Sequence, residues 1–183
     1  MANKKTLYVF IVLLLPLSLV LFAEESLPQG YANVKLGMSL DSVKDELKKD
    51  SQFGYRGDRD VSLLPGDARV LIETDTKINA PYSFLERCWF QFYDEKLYIV
   101  TINVNPQKMD YYSIFKTLCE KYGNPDSLNP EKSEWKNDSV ILSLERPLTL
   151  KYTDKAVFDK LQNDSQVKQT SEEDSRDKFL QGL

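Results

Sequence analysis

The sequence predicts an α+β fold in which two helix-then-strands units form one antiparallel sheet that is covered by helices. Three observations lead to this prediction. A capped amphipathic helix begins near Ser39, two β-rich runs meet at a short turn after Tyr93, and a second amphipathic helix begins near Met109 and is again followed by strands. One order of elements is thus repeated twice, and two such units that share a sheet make an α+β sandwich.

The first unit covers about residues 34–105 and opens with a helix start. Ser39 can cap the first free amides of a helix, and Asp41 lies where the helix dipole favours an acid. Apolar residues at helical spacing follow, namely Leu40, Val43 and Leu47. Several glycines and a proline then predict a loop over residues 51–68, and RVLIETD predicts a short strand over residues 69–75.

A hairpin ends the first unit. The run ERCWFQFYDEKLYIVTINV holds two β-rich segments joined by a turn from Tyr93 to Lys96. Strand alternation places two apolar sets on one side of the sheet, Cys88, Phe90 and Phe92 in the first strand and Val100, Ile102 and Val104 in the second. We expect the helix that contains Cys119 to cover these faces.

The second unit covers about residues 106–162. Its helix ends at Gly123, with Pro125 beyond it, and carries apolar residues at helical spacing, namely Tyr111, Ile114, Phe115, Leu118 and Tyr122. Trp135 opens a second β region, in which polar and apolar residues alternate over VILSLE. The α+β domain is therefore predicted over residues 24–162, and residues 163–183 are predicted to be a polar, mobile C-terminal tail.

The N-terminus predicts export. Lys4 and Lys5 precede an apolar run that ends at the small residue Ala23 and is followed by polar residues. This pattern is typical of a cleaved secretory signal peptide over residues 1–23. The alternative is an uncleaved membrane anchor, but the uninterrupted apolar stretch is short for a membrane span. We therefore expect a periplasmic protein with no stable membrane span after cleavage.

Charge and cysteine content exclude some classes of partner and leave one question open. The 183-residue chain has a net charge of -4, and cleavage of the signal peptide removes two lysines and no acid. An acidic surface disfavours nucleic acid as a partner. Cys88 and Cys119 can form a disulfide in an exported protein or remain buried thiols, and the sequence does not decide between the two.

No catalytic, cofactor-binding or metal-binding residue is predicted. The chain contains no histidine, which is the commonest general base and a frequent metal ligand. Ser113 and Lys116 fit the S-x-x-K pattern, but three further Ser–Lys pairs in the chain fit it as well, so the pattern carries no information. We therefore expect a protein that is not an enzyme and that needs no cofactor.

Residues 54–68 hold the most suggestive polar motif. Arg56-Gly57-Asp58 matches an adhesion tripeptide, yet a solvated turn with local ion pairs explains it more simply. Carboxylates cluster in this region and in the next strand, namely Asp58, Asp60, Asp67, Glu73 and Asp75. They lack the spacing of a calcium loop. We expect an exposed connection in which Arg56 and Asp58 contribute little to stability.

Four runs carry a family resemblance. LLPGDARVLIETD, RCWFQFYDEKLYIVTINV, DYYSIFKTLCEKYGNPDSLNP and LERPLTLKY resemble an uncharacterised spirochaetal family of exported envelope proteins over about residues 54–160, which implies a periplasmic location. More loosely, GMSLDSV resembles the helix start of BamE-like outer-membrane assembly lipoproteins, and the doubled order of elements resembles the tandem modules of β-lactamase-inhibitor proteins. The chain lacks the lipid-bearing cysteine of BamE-like proteins, so the resemblance assigns no functional residue.

The sequence favours a non-catalytic periplasmic binding or scaffold protein of the bacterial envelope. It would act through protein–protein contacts on an exposed sheet face and the C-terminal tail, with another envelope protein as its partner. One alternative is a small-ligand or lipid-binding protein with a pocket between helix and sheet lined by Tyr111, Tyr112 and Trp135, although such aromatics more often belong to a core. A less favoured alternative is an envelope hydrolase, which needs a cleft with converging polar groups.

Overall fold

The described part of the chain folds into one large antiparallel sheet with helices on it. The computed structural model describes residues 26–64 and 69–182, so the predicted signal peptide and Asp67 lie outside the described residues. The helices are α1 (Leu40–Lys49), α2 (Thr76–Asn79), α3 (Tyr111–Tyr122) and α4 (Lys155–Gln181). The strands are β1 (Gly30–Tyr31), β2 (Val34–Lys35), β3 (Val61–Leu63), β4 (Arg69–Asp75), β5 (Leu85–Tyr93), β6 (Lys96–Val104), β7 (Ser127–Leu128), β8 (Lys132–Lys136), β9 (Val140–Glu145) and β10 (Thr149–Asp154).

The predicted repeat of a helix followed by strands is confirmed. The sheet has the order β3-β4-β5-β6-β10-β9-β8-β7, while β1 and β2 form a separate small pair. Helix α1 precedes the four strands of one half, and α3 precedes the four strands of the other half. The last strands of the two units are neighbours, from Thr149 opposite Asn103 to Thr153 opposite Ile99. The α+β class with an antiparallel sheet is therefore the observed fold.

Helix α1 is fixed at the β5–β6 hairpin. The Ser39 hydroxyl accepts the backbone N–H of Ser42, as expected of an N-cap. Just before the helix, Gly37 N–H donates to Leu97 O at 2.7 Å and Leu97 N–H donates to Met38 O at 2.9 Å. These bonds attach the start of the helix to the start of β6, so α1 is held beside the first half of the sheet.

The core lies between the sheet and the layer of α1 and α3. The expected face of β5 is buried, with Cys88, Phe90 and Phe92 at most 1% exposed. The ring that packs on Phe90 comes from the turn after α1, because Phe53 meets it edge-on with ring centroids 5.8 Å apart. Helix α3 packs on the other half, where Phe115 lies 6.1 Å from the ring of Trp135. Each helix thus covers its own half of the sheet, and the expectation that α3 covers the β5 face is corrected.

Two segments differ from the sequence prediction. Residues 51–68, predicted to be a loop, contain the short 3₁₀ turns Ser51–Phe53 and Gly57–Asp60 and then strand β3. A strand of three residues is too short to show a period, and it is formed by pairing with β4. Residues 163–181, predicted to be a tail, continue α4, whose N-cap Asp154 accepts the Val157 N–H at 3.1 Å. From residue 162 onward every described side chain of α4 is exposed, which agrees with the polar character of the segment.

The two cysteines are expected to differ in reactivity. Both are free thiols; Cys88 is buried in the core, and Cys119 on α3 is half-buried. Burial raises the pKa of the Cys88 thiol to about 12 and also raises that of Cys119. A thiol reagent at pH 8 should therefore label one cysteine per native molecule, at position 119, and two after unfolding. Mass spectrometry of labelled peptides measures this, and rapid labelling of Cys88 in the native protein would contradict the packing.

The cap of α3 is expected to make stability depend on pH. Asp110 accepts the Ser113 hydroxyl at 2.6 Å and the Ser113 N–H at 2.9 Å, and these bonds hold the pKa of its carboxyl below the usual value. Asp110→Ala should lower the Tm by about 2–4 °C at pH 7. A depressed pKa stabilises the fold above the unfolded-state pKa of about 4, and this contribution is lost as the pH falls through the lower folded-state value.

The measurement is a series of melting curves from pH 7 down to pH 3. The difference in Tm between wild type and Asp110→Ala should shrink as the pH falls. Asp138 is exposed, so Asp138→Ala should have the Tm of wild type at every pH. A gap that stays constant over this range would show that the charge of Asp110 is not what stabilises α3.

Candidate functional site

The candidate functional site is the face of the eight-stranded sheet that points away from α1 and α3, which we call the open face. It is formed by the strand residues that alternate with the core residues. The pairing registers align these residues in rows that run across the strands. The middle row crosses six strands and contains Glu73, Trp89, Thr101, Lys151, Ser143 and Glu134.

Trp89 is the large aromatic side chain of the middle row. It stands on β5 between Glu73 of β4 and Thr101 of β6, and it is half-buried. The guanidinium of Arg87 lies 5.9 Å from the centre of its ring. An indole held in this way offers a flat apolar surface together with a ring N–H donor, which is a frequent anchor in protein interfaces.

The second row is charged. It contains Asp75, Arg87, Asn103, Thr149, Glu145 and Lys132. Arg87 lies 3.5 Å from a carboxylate oxygen of Glu73 and 3.4 Å from one of Asp75. The Lys77 backbone N–H and then Arg87 hold the pKa of the Asp75 carboxyl below its usual value. Because these ions are partly exposed, their pairing contributes little to stability, and they can exchange partners when another surface approaches.

The third row is more apolar and runs to the base of α4. It contains Leu71, Gln91, Ile99, Thr153, Ile141 and Lys136. Ile99 and Thr153 are buried, and close to them Lys160 of α4 lies 5.4 Å from the centre of the Tyr93 ring. Helix α4 thus starts against this end of the open face, and the aromatic and charged rows lie beyond it.

The Arg-Gly-Asp segment is a structural turn, and its ion pairs are not all exposed to solvent as expected, because Asp60 beside it is buried. Asp60 has a side chain that is 0% exposed. It accepts the backbone N–H of Arg56 at 2.8 Å and two guanidinium N–H groups at 2.9 and 2.6 Å. A buried carboxylate needs such partners, so Arg56 serves the fold. Asp58 points outward, 90% exposed, and pairs with Lys44 at 2.9 Å.

The clustered carboxylates are divided among three cations. Asp58 pairs with Lys44, Asp60 with Arg56, and Glu73 and Asp75 with Arg87. Within residues 26–64 and 69–182, no group of three histidine, cysteine, aspartate or glutamate side chains is arranged to hold a metal ion. These acids therefore serve as ion-pair partners of neighbouring bases.

The remaining residues that the sequence singled out have structural partners. The Ser113 hydroxyl donates to Asp110, and Lys116 lies 3.7 Å from Glu120, so neither is aimed at the other. Trp135 is 2% exposed and donates its ring N–H to Gly123 O at 2.9 Å, which places it in the core. The hydroxyl of Tyr111 lies 2.9 Å from that of Ser133 and donates to Leu144 O, and Tyr112 points into solvent. These three aromatics therefore do not line a common pocket.

Pockets lie on both faces of the sheet, and two of them adjoin the free edge of β3. A cavity of about 530 Å³ lies between the start of α1 and the β3–β4 strands on the helix side of the sheet. On the open face, hollows of about 300 and 260 Å³ share Arg87 as a lining residue. These pockets could not be predicted from local patterns, because each is formed by elements that are distant along the chain.

A comparison with known protein families finds one family that matches most of the chain. The TP0088 domain family matches residues 29–164, which is more than half of the sequence. The chain belongs to the TP0088 domain family. The family takes its name from a Treponema protein, in agreement with the spirochaetal resemblance. No curated protein and no solved structure matches the chain, so the likeness to BamE-like and β-lactamase-inhibitor proteins stays a prediction.

The matched region of this TP0088 domain covers the whole sheet and ends in the first third of α4. Most of the exposed part of α4 therefore lies beyond the family match. No helix among the described residues is long and apolar enough to cross a membrane.

The turn before β3 yields a stability prediction with its own control. Arg56→Ala leaves the buried Asp60 carboxylate without its guanidinium partner and should lower the Tm by about 5 °C or more. Asp58→Ala removes an exposed pair and should change the Tm by less than about 1 °C. Thermal melts of the two single variants measure this, and equal melting temperatures would show that Asp60 does not depend on Arg56.

Proposed function

We propose that this TP0088 domain is a non-catalytic binding or scaffold protein of the bacterial cell envelope that acts through protein–protein contacts on its open face. The observation that supports the proposal is the arrangement of Trp89 between charged and apolar rows on a sheet face that α1 and α3 leave uncovered. Tryptophan and arginine are enriched among the residues that contribute most to protein interfaces. Here the guanidinium of Arg87 lies 5.9 Å from the centre of the Trp89 ring.

The open face is slightly smaller than the surface that a standard protein interface covers on one partner. Six strands about 4.8 Å apart and three rows about 7 Å apart give a surface on the order of 600 Å² once the side chains are included. A specific interface of standard size covers about 800 Å² on each partner. The open face alone is thus smaller than a standard interface, and the exposed side of α4 would extend the contact area.

The periplasmic setting of the proposal rests on the N-terminal pattern. A lysine-led apolar run that ends at Ala23 is the pattern of a secretory signal peptide. In that compartment another envelope protein is the expected partner, because the acidic chain disfavours nucleic acid.

One observation favours a second candidate function. The cavity of about 530 Å³ has the volume of a small-ligand site and includes the apolar side chains of Leu40, Val70 and Phe92 in its lining. A periplasmic ligand or lipid carrier would use such a cavity. The site lies on the helix side of the sheet, so the two candidate functions can be tested separately.

Site-specific photocrosslinking in intact cells tests the open face. A benzoylphenylalanine at position 89 or 151, both in the middle row, should crosslink the same protein partner. The control is the same residue at position 112, since Tyr112 is 69% exposed on the opposite, helical side. Its crosslinking yield to that partner should be at least about tenfold lower, as expected for a residue outside a contact surface.

Two results would contradict the proposal. One is equal crosslinking from all three positions, which would mean that the partner does not prefer the open face. The other is a purified protein that carries a bound lipid or small molecule in native mass spectrometry while positions 89 and 151 give no protein crosslink. That second result would support the ligand-carrier function instead.

A further inference from the structure

The outer edge of β3 has backbone groups that point away from the sheet. This strand is the first in the sheet order and pairs only with β4. Leu64 N–H donates to Arg69 O, so Leu64 and Arg69 are a hydrogen-bonded pair of the antiparallel ladder. Hydrogen-bonded and non-hydrogen-bonded pairs alternate along such a ladder. Ser62 and Leu71 are therefore hydrogen-bonded as well, and Leu63 in between is not bonded to β4. The N–H and C=O of Leu63 therefore point outward. Its side chain is 83% exposed, so the edge is accessible to another strand.

Hollows flank this edge on both faces of the sheet. On the helix side, the 530 Å³ cavity is lined by Leu63 and, further in, by apolar residues such as Leu40 and Phe92. On the open face, the 300 Å³ hollow is lined by Ser62 and by charged residues such as Arg59. Successive side chains of a strand point to opposite faces, so a strand added to β3 would direct alternate side chains into an apolar and a charged space.

Three arginines and three carboxylates line the charged hollow, and their pairing leaves Arg59 available to a ligand. Asp60 is bound by Arg56, and Glu73 and Asp75 share Arg87. Arg59 is exposed and has no ion-pair partner among the described residues. A carboxylate that enters the hollow would therefore meet the guanidinium group of Arg59 without displacing an existing partner.

We propose that the outer edge of β3 binds an extended segment of a partner protein, which adds to the sheet as a further strand. Its backbone hydrogen-bonds with the N–H and C=O of Leu63, one apolar side chain enters the helix-side cavity, and an acidic side chain at an alternate position pairs with Arg59. This is recognition by strand addition, in which main-chain bonds give affinity and alternate side chains give selectivity. The edge site is separate from the crosslinking positions on the open face, so either site can be lost without the other.

The test uses the full exported chain and two fluorescent peptides of four dipeptide repeats, one of alternating leucine and glutamate and one of alternating leucine and lysine. Fluorescence anisotropy should show at least about tenfold tighter binding of the glutamate peptide. Arg59→Glu should remove this preference or reverse it. The matched control is Lys121→Glu, which makes the same charge change on an exposed residue of α3, outside the open face and away from β3, and should leave binding unchanged.

A backbone variant tests the mode of binding. Leu63→Pro removes the outward N–H while keeping the Leu64–Arg69 bond, and proline is tolerated on edge strands. This variant should bind the glutamate peptide at least about tenfold more weakly than wild type, while its melting curve stays close to that of wild type. Equal binding of both peptides, or binding that neither Arg59→Glu nor Leu63→Pro changes, would overturn the proposal. So would a dimer that Leu63→Pro converts to a monomer in sedimentation velocity, since the edge would then pair with a second copy of this chain.

Discussion

The antiparallel pairing of β6 with β10 is the contact on which the rest of the structure depends. It joins two four-stranded halves, each of which has its own covering helix. On the helix side it sets Val100 opposite Tyr152 and Ile102 opposite Leu150, so the two half-cores become one. A slip of one residue would exchange the faces of a whole half, because side chains alternate along a strand. The aligned rows of the open face exist only because this register is kept.

Charged residues in this protein have two distinct roles. Asp60 is fully buried and is held by three hydrogen bonds from one residue, so it belongs to the packed structure around the turn before β3. Arg87 is 48% exposed and is divided between two carboxylates at 3.4 and 3.5 Å. Breaking the Asp60–Arg56 pair would leave a buried charge without a partner and destabilise the fold. The exposed pairs of Arg87 can exchange with other ions in solution at little cost in stability. Surface charge pairs with that freedom suit a contact that forms and dissociates.

Much of the fold could be predicted from local pattern. The cap at Ser39, the turn after Tyr93 and the alternation in β5, β6 and β9 each depend on neighbours along the chain, and the structure has all of them. Strand β3 was missed because its three residues gain their conformation from β4. The burial of Asp60 was missed because a carboxylate in a glycine-rich stretch looks like a solvated one. The helical state of residues 163–181 was missed because polar composition alone resembles that of an unfolded segment.

The sequence predicts which residues of a strand belong to the open face, but it does not predict which strands lie side by side. The residues of β5 that do not face the core, such as Trp89 and Arg87, follow directly from the period of two. Which residues of other strands stand beside them depends on the strand order, and the sequence repeat did not specify that β10 lies next to β6. Long-range register is set by packing over the whole sheet, so no local pattern reports it.

Helix α4 is long and contacts the sheet only at its first turns. It has 27 residues and, at 1.5 Å per residue, is about 40 Å long. Contacts such as that of Lys160 with Tyr93 hold only its first turns against the sheet, while the described side chains from residue 162 onward are exposed. A tilt of about 10° at the base would therefore move its far end by about 7 Å, by the geometry of a rod of that length. The exposed apolar side chains of Phe179 and Leu180, near that far end, would move with it.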